Sequence, residues 1–272
     1  MKKPSLKPGT EEVIEHFLAE KLRKTGAKGY VLGLSGGIDS AVVLRLASRA
    51  VGSERVLAVM MPEKDSPEED LENAEMLCKA EGVLSETVNI TSMVDAFSEA
   101  LGGGMTKEWL ANIKARCRMI LLYYYASQGS RLVLGTSNKS ELLVGYFTKY
   151  GDGGADLEPI GDLYKTEVRQ LARQLDIPQK IIDRAPSAGL WKGQTDEEEI
   201  GLSYEDLDAI LLGIELGRDE ETVAQDSGMR IEDVRRISEK VRLSSHKRKF
   251  PAVAKIGVRT PGLDWREGDE DI

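Results

Sequence analysis

Hydrophobic positions along this chain fall into two rhythms. In residues 11–24 (EEVIEHFLAEKLRK), Val13, Ile14, Phe17, Leu18 and Leu22 share one helical face. Thr10 is placed to cap that helix and Gly26 to stop it. GYVLGLS is instead a short apolar run bounded by glycines, which predicts a buried strand over 29–34. The alternation then repeats. A helix is predicted in AVVLRLASRAV, a strand at 55–61 (RVLAVMM), a helix in EEDLENAEMLCKAEG and a strand at 86–90 (ETVNI). A long periodic helix is predicted at 106–128, with Trp109, Ile113, Met119, Ile120 and Tyr123 among its apolar positions, and a buried strand at 131–135 (RLVLG).

Strands alternating with helices predict an α/β fold: a doubly wound, open parallel sheet with helices on both faces and extra C-terminal helices. Ligands of such sheets bind beyond the carboxyl ends of the strands, so the loops after Leu34, Met61 and Leu134 are the places for a site. The Gly-rich stretch 145–163 and the segment 184–201 read as long, functional loops. Ser203 and Asp206 form a possible capping box before the apolar-faced helix DLDAILLGIEL. Residues 219–240 scan as helix, glycine turn, helix; the second helix is as acidic as it is basic, which favours packed enzyme helices over a DNA reader. One domain is expected over 1–258, with a loose acidic tail at 259–272.

Composition narrows the picture. At 41% hydrophobic and 31% charged, the 272 residues suit a globular protein with a sizeable core. A formal net charge of −9 argues against nucleic acid as partner. Two histidines cannot build a histidine metal cage, and Cys78 and Cys117 have neither disulfide-framework nor zinc spacing. No apolar run reaches membrane-spanning length and the N-terminus lacks a signal-peptide pattern, so the cytoplasm is the expected location.

The chemistry starts at SGGIDS, Ser35 to Ser40, between a strand and a helix. Its glycines let the backbone approach a phosphate, and the helix N-terminus offers unpaired N–H groups and a positive dipole end. Asp39 would repel a phosphate unless it holds Mg²⁺. Glu141, in GTSNKSE after the 131–135 strand, emerges at the same sheet edge and could share that ion. Alternatively GTSNKSE is a polar turn into a helix capped by Ser137 or Asn138. The string lacks the lysine of a Walker A loop.

SGGIDS resembles the loop of the N-type ATP pyrophosphatases, which have an adenine nucleotide alpha hydrolase-like fold and adenylate a substrate. With KARCRM, GTSNKSE, FTKYGDGGAD, LYKTEV and SSHKRK, the resemblance narrows to the ammonia-dependent NAD synthetase family. It implies that Gly33, Leu34, Ser35, Gly36, Gly37, Ile38, Asp39 and Ser40 wrap ATP, joined by Thr136, Lys165 and Ser187. It assigns Mg²⁺ to Asp39 and Glu141, with Lys165 completing the catalytic set. It assigns deamido-NAD to Arg116, Lys149, Asp152, Asp156, His246 and Lys247. In APSAGL, Ser187 stands where the family has threonine, so a hydroxyl remains, and Gly189 stands where the family has an acid, so that carboxylate is missing here.

The implied reaction is ATP-dependent amidation of deamido-NAD by ammonia, through an adenylate, with release of pyrophosphate and AMP. The chain is too short to carry a glutaminase beside the synthetase, so free ammonia or a separate subunit supplies the nitrogen. The resemblance also implies a homodimer, with the 106–128 helix as candidate contact, and the polar stretches near 62–67 and 184–200 are the candidate lids. Two competing readings are another adenylating ATP pyrophosphatase and a non-catalytic adenine-nucleotide sensor; the second need not keep Asp39 with Glu141.

Overall fold

The computed structural model describes residues 3–187, 189–191 and 193–265. Four strands, β1 (Gly29–Gly33), β2 (Val56–Met60), β3 (Leu84–Thr87) and β4 (Arg131–Leu134), form one sheet in the order β3-β2-β1-β4. Every pairing is parallel, with Tyr30 opposite Val56 on one side and Leu132 on the other.

Because successive strand residues point to opposite faces, the central strand feeds two cores. Tyr30 and Leu32, with Ala58, Met60 and Leu134, meet α1 (Thr10–Thr25), α2 (Ile38–Val51), α3 (Glu68–Glu81) and α7 (Lys165–Gln174). Val31, with Leu57, Val59 and Val133, meets α4 (Thr91–Ala100) and α5 (Lys107–Gly129). Each fully buried Leu, Val or Ile contributes about 1.5–3 kcal/mol of burial, so the apolar runs of β1 and β2 fix the sheet's position between the layers. The Tyr30 hydroxyl donates to the Leu18 carbonyl at 2.5 Å, tying α1 to the central strand.

Between α7 and the C-terminal layer lie α8 (Gln179–Ile182) and α9 (Asp196–Ile200). A third core joins α6 (Lys139–Val144) to α10 (Tyr204–Glu215), α11 (Glu220–Ser227) and α12 (Ile231–Leu243) through Val144, Tyr204, Leu207, Val223 and Ile237. These are the extra C-terminal helices. The helix–turn–helix scan of 219–240 thus marks packed helices, and the α12 arginines pair with acids, Arg235 with Glu220 and Glu221 and Arg242 with Glu239.

Several local expectations shift. Helix α1 starts at Thr10 because Gly9, in the left-handed region at φ 80°, turns the chain just before it. Strand β3 lies two to three residues earlier than ETVNI suggests. It is an exposed edge, and after it the Val88 and Ile90 N–H groups still bond to Met60 and Pro62 carbonyls, so pairing outlasts regular strand geometry. Helix α5, capped by Thr106, buries Ala111, Lys114, Ala115, Cys117 and Ala126, whereas Trp109 and Ile120 point outward, 61% and 49% exposed. Ser203 caps α10 by accepting the Asp206 N–H. Of the expected tail, residues 266–272 lie outside the described residues; before them Thr260 is buried, its carbonyl accepting three following N–H groups.

Candidate active site

A cleft of about 730 Å³ opens at the carboxyl ends of β1, β2 and β4. The β1–α2 turn forms its floor. Gly36 has φ 78°, and a Cβ there would lie 2.2 Å from the Asp70 carbonyl, so only glycine fits between the turn and α3. The Ser35 and Ser40 hydroxyls are 3.1 Å apart and Ser35 Oγ accepts the Gly37 N–H, which holds the turn in shape. Among the described residues no side chain caps α2, so its first N–H groups remain available to an anion in the cleft.

Beside this cradle stands a cluster of opposite charges. Lys165, the first residue of α7, is 2% exposed, with Nζ 2.5 Å from Asp39 Oδ2 and 3.3 Å from Glu141 Oε1. Asn138 Nδ2 donates to Asp39 Oδ1. Asn138 and Glu141 also form a capping box on α6, with the Asn138 N–H bonded to Glu141 Oε2. GTSNKSE is therefore both things its sequence allowed: a capped helix start, by Asn138 rather than Ser137, and a source of a site carboxylate.

Burial pushes the Glu141 carboxyl above its ordinary range, with Lys165 opposing and the neighbouring acids Asp39 and Asp196 adding to the rise. Burial favours the neutral amine of Lys165, but the flanking Asp39 and Glu141 outweigh it and hold the ammonium well above its ordinary range. A cation among these acids is thus strongly preferred. Asp39 and Glu141 offer hard oxygen donors facing one cation, a set that suits Mg²⁺ completed by phosphates and water. Among the described residues no three potential ligands form a cage by themselves.

Gly33, Leu34, Ser35, Gly37, Ile38, Ser40, Thr136 and Ser187 all line the same cleft, as do Asp39, Glu141 and Lys165; Gly36 shapes it from beneath. Ser187 Oγ accepts the Gly189 N–H. The second expected set divides. Asp152 and Lys247 line the cleft, with Lys247 Nζ donating to the Gly145 and Phe147 carbonyls. Arg116, Lys149 and His246 lie outside its lining and are chained together, Arg116 donating to the Lys149 carbonyl and Lys149 to that of His246. Asp156 also lies outside it, its carboxylate accepting the Val133 N–H and the Tyr123 hydroxyl.

Three side chains that the sequence reading passed over complete the surroundings. The Tyr204 hydroxyl sits between Asp196 (3.1 Å) and Glu141 (3.4 Å), and Lys165 lies over its ring. Fully buried Asp208 accepts from the Ser140 hydroxyl and the Thr166 N–H, and the Ser140 hydroxyl accepts the Lys165 N–H, which anchors the start of α7. No local pattern marks these residues: Tyr204 and Asp208 meet Glu141 and Ser140 from far along the chain, and Asp196 joins the cluster through Tyr204.

A phosphate cradle without the Walker lysine, beside paired carboxylates on an adenine nucleotide alpha hydrolase-like sheet, defines an ATP pyrophosphatase of the N type. Comparison with known proteins narrows this further. The NAD synthase family model matches residues 10–251, and the chain belongs to that family. The NH(3)-dependent NAD(+) synthetase of Archaeoglobus fulgidus is 50% identical over 252 residues, covering 90% of this chain and 97% of the relative. Two solved structures are similar across nearly their whole length. The NMN synthetase of Francisella tularensis has a TM-score of 0.82 at 35% identity, covering 91% of this chain and 98% of the other. The NH3-dependent NAD synthetase of Campylobacter jejuni, in complex with nitrate, has a TM-score of 0.78 at 34% identity, covering 90% and 97%.

Proposed function

We propose that the protein catalyses the ATP-dependent amidation of deamido-NAD to NAD with ammonia, releasing AMP and pyrophosphate. The observation that carries this reading is the Asp39–Lys165–Glu141 cluster beside an open helix N-terminus, in a chain of the NAD synthase family. A free carboxylate is a poor acylating agent. Attack of its oxygen on the α-phosphorus of ATP, with the bond to pyrophosphate breaking, makes an acyl adenylate, which ammonia then opens with AMP as leaving group.

The chain's task is positioning and charge stabilisation. The Ser35–Ser40 turn and the α2 N-terminus hold the phosphates, with Thr136 and Ser187 adding hydroxyls from the cleft wall. Lys165 supplies positive charge toward the departing pyrophosphate. Asp39 and Glu141 would hold Mg²⁺, which when bound neutralises phosphate charge. Asp152 and Lys247 face the nucleotide being amidated, and Arg116, Lys149, His246 and Asp156 contact it beyond the cleft as it extends outward. A homodimer joined through α5 would cover outward-facing Trp109, Ile120 and Tyr124. We place this enzyme in the cytoplasm, where ATP and Mg²⁺ are available; among the described residues no helix is long and apolar enough to cross a membrane.

The likeness to the NMN synthetase structure favours a second reading, in which the mononucleotide is the acid amidated. One assay separates them. The protein is incubated with ATP, Mg²⁺ and ammonium, with deamido-NAD or its mononucleotide counterpart, and amide and AMP are measured by chromatography. Equal NAD and AMP with ammonium but not glutamine, and neither product from Asp39→Ala, is the expected result. Preference for the mononucleotide establishes the second reading, and no ATP consumption with either acid overturns both.

A further inference from the structure

Lys114 lies on α5, facing inward, and its side chain is 2% exposed. Its Nζ donates to Glu63 Oε2 at 2.9 Å and to the Leu190 carbonyl at 2.9 Å. The Glu63 side chain is equally buried, and the described structure gives its second oxygen, Oε1, no hydrogen-bond partner. These partners belong to two separate stretches of the cleft mouth. Glu63 is in the loop after β2, which folds on itself through Ser66 Oγ and the Asp65 N–H. Leu190 is in the segment after α8, where its N–H bonds to Gln194. Pro62, Ser66 and Pro67 from the first stretch and Ser187, Leu190 and Trp191 from the second line the cleft. One turn further along α5, Arg118 Nε donates to the Met61 carbonyl, so the same helix face fixes the root of the first loop.

Each stretch is thus organised internally, and the buried Lys114 ammonium bonds to both. If the first stretch swings away, the buried ammonium loses its carboxylate partner, which is costly; if the second does, the ammonium loses a buried carbonyl acceptor. We propose that Lys114 is a positioning residue that couples the two mouth loops, so that they cover the acyl adenylate as a unit and exclude water until ammonia attacks. The inference rests on the amidation reading above and concerns how that intermediate is protected.

When coupling fails, water replaces ammonia. Its oxygen bonds to the acyl carbon, the acyl–oxygen bond to AMP breaks, a proton passes to solvent, and the starting acid is regenerated. The net reaction is ATP plus water to AMP plus pyrophosphate, with no amide formed. The readout is therefore the ratio of AMP to NAD, which does not depend on the fraction of folded enzyme.

Two variants test this, Lys114→Met and Lys114→Met with Glu63→Gln. The double variant removes both charges, so no unpaired ion is buried; if the single variant does not fold, the double one carries the test. The full chain is assayed at falling ammonium concentrations, alongside thermal melts. We expect one AMP per NAD in the unsubstituted protein and a several-fold excess of AMP in the variants, growing as ammonium falls. In the double variant the melting temperature recovers while the excess AMP persists. A ratio of one in the folded double variant at every ammonium concentration overturns the coupling role and leaves the amidation reading intact. Neither AMP nor NAD from the unsubstituted protein overturns the amidation reading and, with it, this one.

Discussion

Replacing Lys165 by methionine isolates the electrostatics of the site. The substitution keeps most of the stem and removes an ammonium 2.5 Å from Asp39 and 3.3 Å from Glu141. The side chains of these acids are only 18% and 15% exposed, so they would face each other with little water between them. Removing one partner of a buried pair costs about 3–5 kcal/mol. Asp39 keeps the Asn138 bond and Glu141 its capping bond, so the lower end, about 3 kcal/mol, is expected. For a chain of this size that lowers the melting temperature by about 6–12 °C in Mg²⁺-free buffer. A divalent cation taken up by the two acids offsets the loss, and at a hundredfold excess over its Kd the gain is about 2.7 kcal/mol. The assay is thermal unfolding of both proteins across a MgCl₂ titration. The variant should start lower and gain more, while its kcat stays about 10²–10³-fold down even in saturating Mg²⁺. A variant that melts with the unsubstituted protein, or gains no more than it from Mg²⁺, refutes the account of Asp39 and Glu141 as acids that require a cation between them.

Other perturbations probe the frame. Burial pushes the Tyr30 hydroxyl from 10 up to about 12, so the folded chain keeps this proton where the unfolded chain loses it. Its stability contribution is full below pH 10 and is lost between 10 and about 12, at most about 2.7 kcal/mol. Tyr30→Phe should lose about 1 kcal/mol at pH 8 and then fall less steeply; parallel urea-unfolding curves at pH 8 and 11 would contradict this. Gly36→Ala forces a Cβ into the Asp70 carbonyl at positive φ, costing at least about 1–3 kcal/mol, and should abolish ATP binding in calorimetry. On the proposed homodimer through α5, Trp109→Glu with Ile120→Glu should halve the mass seen by sedimentation; a dimer unchanged by the substitutions moves the interface away from α5, and a monomeric unsubstituted protein overturns the dimer itself.

The sheet was legible because its strands are buried on both faces, so GYVLGLS and RVLAVMM read as apolar runs whichever way each residue points. β3 was less so: as an exposed edge it has no core to fix its register, and the apolar Val88 and Ile90 drew the expected strand past its regular part. On α5, periodicity found the helix but not its inner face, where small residues and Lys114 lie, while Trp109 is turned outward. At the site, the phosphate turn and Glu141 carry local signatures. Tyr204, Asp196 and Asp208 have none, since a buried tyrosine or acid reveals its partner only once distant segments meet.

That dispersal has a consequence for synthesis of the chain. Asp39 takes its bond from Asn138 across 99 positions and from Lys165 across 126, and Tyr204 reaches Glu141 across a further 63. Contacts of such separation form late, after the loops between them have closed. A chain emerging from the ribosome therefore makes its phosphate turn early but lacks the charges that would activate a nucleotide there. On the proposed reading the Asp39–Lys165–Glu141 set is complete only once α7 has docked, and the Tyr204 bond to Glu141 closes over it when α10 folds onto α6.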